Sequence, residues 1–116
     1  MTHNFLAPTF VELPFFNTAR ERYLNDEEFR NLQRILLNTP QAGDLIPGSG
    51  GARKLRWSRR GMGKRGGLRV IYYPVGRVGQ IWLLMLYSKN VVDNVQAQTL
   101  KRLTETIDAK INRKSH

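Results

Sequence analysis

The chain has no cysteine, which excludes disulfides, thiolate metal sites and a cysteine nucleophile. Its only histidines, His3 and His116, stand near the two ends of the 116 residues, where order is hardest to keep. A two-histidine acid–base pair is therefore not expected. Hydrophobic runs are short: the longest, residues 81–87, falls far below the roughly 20 residues that cross a bilayer. Residues 1–10 have neither the basic stretch nor the continuous apolar stretch of a secretion signal, so a cytoplasmic protein is the expectation. The carboxylates show no D-x-D spacing and the histidines no H-x-x-x-H spacing, so neither a metal site nor a cofactor is expected. The glycine cluster of residues 43–51 is not followed by Gly-Lys-Ser/Thr and reads as a connection rather than a phosphate-cradling loop.

Acidic residues are missing from one place in particular. Residues 45–92 contain no Asp or Glu, yet hold Arg53, Lys54, Arg56, Arg59, Arg60, Lys64, Arg65, Arg69, Arg77 and Lys89. The chain has 19 basic and 9 acidic residues, so outside this stretch the two signs balance and the whole net charge of +10 lies within it. Such a focused positive field attracts a polyanion, of which nucleic acid is the commonest in cytoplasm.

With 41% hydrophobic residues the chain has the composition of one compact domain. Residues 9–13 have the β-branched and aromatic content of a short strand. Residues 15–24 read as a short helix. Asn25 with Glu28 forms a capping-box start for a second helix, whose apolar face is Phe29, Leu32, Ile35 and Leu36 and which Pro40 stops. Three strand-like runs follow, at residues 53–58, 68–75 and 80–87, with residues 76–79 closing the last two into a hairpin. In the first run Leu55 and Trp57 share one face and Lys54 and Arg56 the other. A final helix over about 94–112, capped by Asp93, carries Leu100, Leu103, Ile107 and Ile111 on one side. The order β-α-α-β-β-β-α predicts a single α+β domain, its core spanning about 10–110, with helices packed on a small, mostly antiparallel sheet.

Cleaving RNA without a metal takes a group to deprotonate the 2′-hydroxyl, one to protonate the leaving 5′-oxygen, and cations for the charge that develops on phosphorus oxygens. If this chain cleaves RNA, those groups must come from the basic stretch and the tyrosines. A lysine crowded by cations can serve as a base, and arginine grips phosphate with two parallel bonds. Lys64 and Arg65 stand among Gly61, Gly63, Gly66 and Gly67; Arg69 opens an apolar strand with no structural purpose evident from its neighbours. Alternation puts Arg69, Ile71 and Tyr73 on one face, and Tyr87 and Lys89 share a parity on the next strand, where they can converge on Arg69. Tyr72 and Tyr73 are otherwise ordinary core or sheet-surface residues, and Trp57 and Trp82 core anchors.

At these positions the sequence resembles a known family. Arg53-Lys54-Leu55-Arg56-Trp57, the loop Gly61-Met62-Gly63-Lys64-Arg65-Gly66-Gly67, the strand Arg69-Val70-Ile71-Tyr72-Tyr73 and the closing Leu83-Leu84-Met85-Leu86-Tyr87-Ser88-Lys89-Asn90 are similar to the RelE/ParE superfamily of toxins, and within it to the HigB-like ones. The resemblance implies an mRNA-cleaving endoribonuclease that works in the ribosomal A site and is held inactive by a cognate antitoxin. It also implies that Arg69 belongs to the active site, with Lys64 and Arg65 upstream and Lys89 after the last strand. Asn90 stands where an arginine is usual. The family's catalytic tyrosine near the C-terminus has no counterpart in residues 96–114, and Tyr87 is the candidate substitute. Lys54, Arg56, Arg59 and Arg60 are the expected RNA-backbone contacts. A gyrase-poisoning toxin of the ParE branch and a non-catalytic RNA-binding or ribosome-binding module are the competing readings.

Overall fold

A computed structural model of the chain describes residues 9–58, 67–89 and 95–114. In chain order these form β1 (Thr9–Glu12), α1 (Pro14–Tyr23), α2 (Asp26–Asn38), β2 (Asp44–Leu45), β3 (Arg53–Ser58), β4 (Gly67–Val75), β5 (Gln80–Ser88) and α3 (Ala97–Lys114). The expected α+β architecture is present, with one addition. The segment of residues 43–51 read as a plain connection contains the two-residue strand β2, which pairs with Arg53 and Lys54. The final helix starts at Ala97, three residues later than expected, and Asp93, its expected cap, lies outside the described residues.

Local chemistry accounts for the helix starts. Pro14 occupies the first turn of α1, where its missing N–H costs nothing. Asn25 and Glu28 form the reciprocal box: the Glu28 amide donates to Asn25 Oδ1 at 2.7 Å and the Asn25 amide to Glu28 Oε1 at 2.9 Å. Asp26, Glu27 and Glu28 add negative charge to the positive end of the α2 dipole. Between β4 and β5 a 3-10 turn over Gly76–Val78 is closed by Gly79, whose φ of 62° is one that glycine adopts at no cost.

The five strands lie in the order β1-β5-β4-β3-β2. All neighbours are antiparallel except β1, which runs parallel to β5. Helices cover both faces. On one face Leu68, Val70 and Tyr72 of β4 and Leu83 and Leu86 of β5 bury against Phe16 of α1 and Phe29, Leu32 and Leu36 of α2, with Leu55 and Trp57 packed at the margin. On the other, Ile71, Val75, Leu84 and Tyr87 bury against Leu100, Ile107 and Ile111 of α3. Trp57 and Trp82 are half-buried flanks of these clusters, and Tyr72 is fully enclosed.

One irregularity controls the site. The pairing of β4 with β5 shifts between Ile71 and Tyr72: Tyr72 stands opposite Leu83 and Ile71 opposite Met85. Leu84 is the extra residue of a β-bulge, and its side chain goes into the α3 cluster. Every β5 residue beyond it has changed face relative to a regular hairpin.

Candidate active site

The cations enter the site through strand register. Arg69 of β4 pairs with Arg56 of β3 on one side and with Tyr87 of β5 on the other, so the three stand in one row across the sheet and share a face. The next row along contains Lys54, Ile71 and Met85. Without the bulge, Leu86 would stand opposite Arg69 and Tyr87 would point to the α1–α2 side. The Lys89 amide donates to the Gly67 carbonyl at 3.2 Å, carrying the ladder one residue past Ser88 and keeping Lys89 in the parity of Tyr87. By the same alternation Arg56 and Arg69 form a non-hydrogen-bonded pair, the kind with the closer approach of side chains. The register therefore brings Lys54, Arg56, Arg69, Tyr87 and Lys89 together. Lys64, Arg65, Arg59 and Arg60 lie outside the described residues. Residues 59–66, which carry them, connect strand ends that are paired at Ser58 and Gly67, one row from Arg56 and Arg69.

The electrostatics of the row are unusual for a sheet. Like charges directly opposed on neighbouring strands destabilise, by a few tenths to about 1 kcal/mol. Yet among the described residues the one ion pair is Arg20 with Glu12, 3.2 Å apart and away from this row. Arg69 makes a long bond of 3.3 Å to the Leu68 carbonyl and reaches no carboxylate among the described residues. Asp44 is brought opposite Lys54 by the β2–β3 pairing without forming an ion pair with it. Arg56 and Lys89 are exposed, Lys54 and Arg69 half-exposed, and Tyr87 is buried at 5% exposure with its side chain in the α3 cluster. A surface that holds two guanidiniums side by side, with no acid paired to them among the described residues, is complementary to an oxyanion with several oxygens, such as a phosphodiester.

The other tyrosines serve the frame. The Tyr72 hydroxyl donates to the Pro40 carbonyl at 2.7 Å and accepts from the Gly43 amide at 2.8 Å, tying the end of α2 to the sheet. Gly43 is needed at this crossing, because a Cβ there would come within 2.9 Å of both the Lys54 backbone and the Tyr72 ring. Burial pushes the Tyr72 hydroxyl above its ordinary pKa. Tyr73 donates to Asp108 of α3 at 2.7 Å, and burial together with that carboxylate pushes its pKa up to about 12. Thr104 donates to the Ser49 carbonyl at 2.9 Å and Arg77 to Asn112 at 3.0 Å, which complete the attachment of α3. Tyr72 and Tyr73 are thus neutral donors in the scaffold. No group of three or more His, Asp or Glu is clustered as metal ligands among the described residues. Nor is any helix there long and apolar enough to cross a membrane.

The sequence pattern alone does not set Arg56 beside Arg69. The alternating pattern revealed its face, but the partner across the strand depends on the length of the connection between β3 and β4.

No family model matches the chain. Among solved structures it is similar to a doubly substituted E. coli toxin RelE in the free state, at 13% identity and a TM-score of 0.56, over 76% of this chain and 90% of that one. It is also similar to the intact E. coli RelBE toxin–antitoxin complex, at 15% identity and a TM-score of 0.53 over 71% and 96% of the two chains. For the isolated E. coli RelE toxin the values are 13%, 0.51, 87% and 99%. Taken with the element order and the five-stranded sheet, these likenesses give the chain the RelE-like α+β fold.

Proposed function

We propose that this chain is the toxin of a toxin–antitoxin pair and that it inhibits translation by cleaving mRNA on the ribosome, with a cognate antitoxin as its natural inhibitor. The observation that carries the reading is the Arg56–Arg69 pair, two opposed guanidiniums with no carboxylate among the described residues. The surrounding stretch, residues 45–92, holds ten basic residues and no acidic one, and the fold is that of RelE toxins. The loop of residues 61–67, similar to that of HigB-like toxins, supports a member of that kind.

In this mechanism Arg56 and Arg69 hold the non-bridging oxygens of the scissile phosphate and stabilise the charge that grows on them. The 2′-hydroxyl oxygen attacks phosphorus, its proton goes to a base, and the 5′-oxygen leaves with a proton from an acid. Lys89 and Lys64 are the proposed proton carriers; Lys54 extends the phosphate contacts along the row. Tyr87 and Arg65 orient the nucleotide, and Arg59 and Arg60 bind the RNA backbone beyond it. No metal enters any of these steps.

The test is to induce the chain in cells and map the 5′ ends of translated transcripts. Cuts within reading frames together with growth arrest are expected, and Arg69→Ala should abolish both while the protein stays folded. An unimpaired Arg69→Ala toxin would remove this site from the mechanism, and inhibited DNA supercoiling with intact translation would replace the nuclease by a gyrase poison.

A further inference from the structure

The end of β3 that carries Arg56 also borders a cavity. Trp57 is the next residue after Arg56 and pairs with Leu68, one row beyond Arg56 and Arg69 and on the opposite face of the sheet. Its indole is half-buried: it packs on the margin of the α1–α2 cluster and also walls a cavity of about 360 Å³. The rest of the wall is Ser58 of β3 with Asn25, Glu27, Glu28 and Asn31 from the start of α2. Such a volume lies at the small end of the roughly 300–1,000 Å³ typical of small-molecule sites.

The polar groups in this wall differ in what they have left to offer. Glu28 Oε1 already accepts from the Asn25 amide, and Asn25 Oδ1 from the Glu28 amide. Asn31 Oδ1 accepts from Arg34 at 2.8 Å, so it is the amide nitrogen of Asn31 that has hydrogen bonds to give. Glu27 is exposed and forms no ion pair among the described residues. The cavity therefore offers a flat aromatic wall, a carboxylate with two acceptor oxygens, and an amide donor. Phosphate is not a fitting guest, because Asp26, Glu27 and Glu28 surround this helix end with negative charge. A cationic protein segment suits the carboxylates, but it has to approach a chain of net charge +10 and leaves the Asn31 donors facing a cation.

A nucleobase meets all three features at once. Unstacked bases of single-stranded RNA stack on aromatic side chains and are read along their hydrogen-bonding edges. Guanine alone presents two adjacent donors, N1–H and the N2 amino group, beside an acceptor, O6. The donors match the two oxygens of one carboxylate, and O6 matches an amide N–H. Arg56 and Arg69 stand one row away, so RNA held there has its neighbouring nucleotides at this end of the sheet. We infer that the cavity between α2 and Trp57 binds a guanine base of the RNA close to the cut. The base stacks on Trp57, Glu27 accepts from N1–H and the N2 amino group, and Asn31 donates to O6. The inference rests on the RNA-cleaving reading for its substrate and adds the base that decides where along a message the cuts fall.

Two assays of the full chain test it. In the first, the probe is a short single-stranded uridine RNA with one guanosine, compared with the same RNA carrying inosine there or uridine throughout. Inosine keeps N1–H and O6 and lacks the N2 amino group. The guanosine probe should bind roughly tenfold more tightly than the uridine one, within the range for a bidentate contact to one base, with inosine between them. Glu27→Gln and Asn31→Ala should erase that ranking. Asp26→Asn, which removes a neighbouring charge outside the cavity wall, should keep it. In the second assay, cuts in translated mRNA should show guanine enriched at one fixed offset for the parent and Asp26→Asn, and not for Glu27→Gln. Glu27 is exposed and Asn31 only half-buried, so thermal melting should show the variants folded. Equal affinity for the three probes, or a ranking that survives Glu27→Gln, would overturn the base pocket and leave the toxin reading intact. Tighter binding of an arginine-containing peptide, lost in Glu27→Gln, would replace guanine by a protein segment. Guanosine selectivity with neither cut mRNA nor growth arrest would overturn the toxin reading alone.

Discussion

Replacing Arg56 by methionine separates two consequences of an opposed arginine pair, because the side-chain stem is kept and only the charge is lost. In the free protein Arg56 and Arg69 repel each other across the strands, with no carboxylate among the described residues to offset them. Removing one charge should therefore stabilise the fold by about 0.5 kcal/mol, within the range for like-charge cross-strand pairs, or about 2 °C in Tm for a chain of this size. Because the Debye length shrinks to about 3 Å at 1 M salt, most of that gain should vanish there. Cleavage should move the opposite way. A hydrogen bond to a charged group contributes about 1.5–3 kcal/mol, so losing the Arg56 contact in the transition state predicts a fall of roughly tenfold to 150-fold in rate. Thermal melts at low and high salt, beside single-turnover cleavage of translated mRNA, measure both. A variant that melts below the parent and cleaves at the parental rate would refute the reasoning, since Arg56 would then be a structural residue.

Tyr72→Phe removes a donor from Pro40 and an acceptor from Gly43 within a buried crossing, and should cost about 2–3 kcal/mol in urea unfolding. A loss below about 0.5 kcal/mol would mean that the loop carries no strain from it. Tyr73 titrates near 12 when folded, against an ordinary value near 10. The unfolded chain therefore releases this proton first, and the stability tied to it is complete below pH 10 and lost as pH rises toward 12. Tyr73→Phe should accordingly show a shallower loss of stability across that interval, read from denaturation midpoints at stepped pH.

Much of the frame was legible from residue order alone. The capping box at Asn25 and Glu28, the hairpin break at residues 76–79 and the alternation in β3 rest on contacts within a few residues, which short-range chemistry settles. The same holds for the concentration of charge, since 45–92 lacks acids whatever the fold. The pairing of distant strands is a different matter. β1 joins β5 in parallel across most of the chain, and β2 exists only because Asp44 and Leu45 find β3. Arg56 meets Arg69 by register, and Tyr87 reaches their row because Leu84 bulges out of the ladder into the α3 cluster. A period-two count from the hairpin puts Leu86 opposite Arg69, so the convergence of Tyr87 and Lys89 on Arg69 that their shared parity suggests depends on this bulge. The bulge lets Leu83 and Leu86 both face α1 and α2 while Leu84 and Tyr87 both face α3, a balance between two hydrophobic clusters that no local pattern encodes. Composition decided that this protein carries a concentrated positive charge; packing on the two faces of one strand decided which side chains share it.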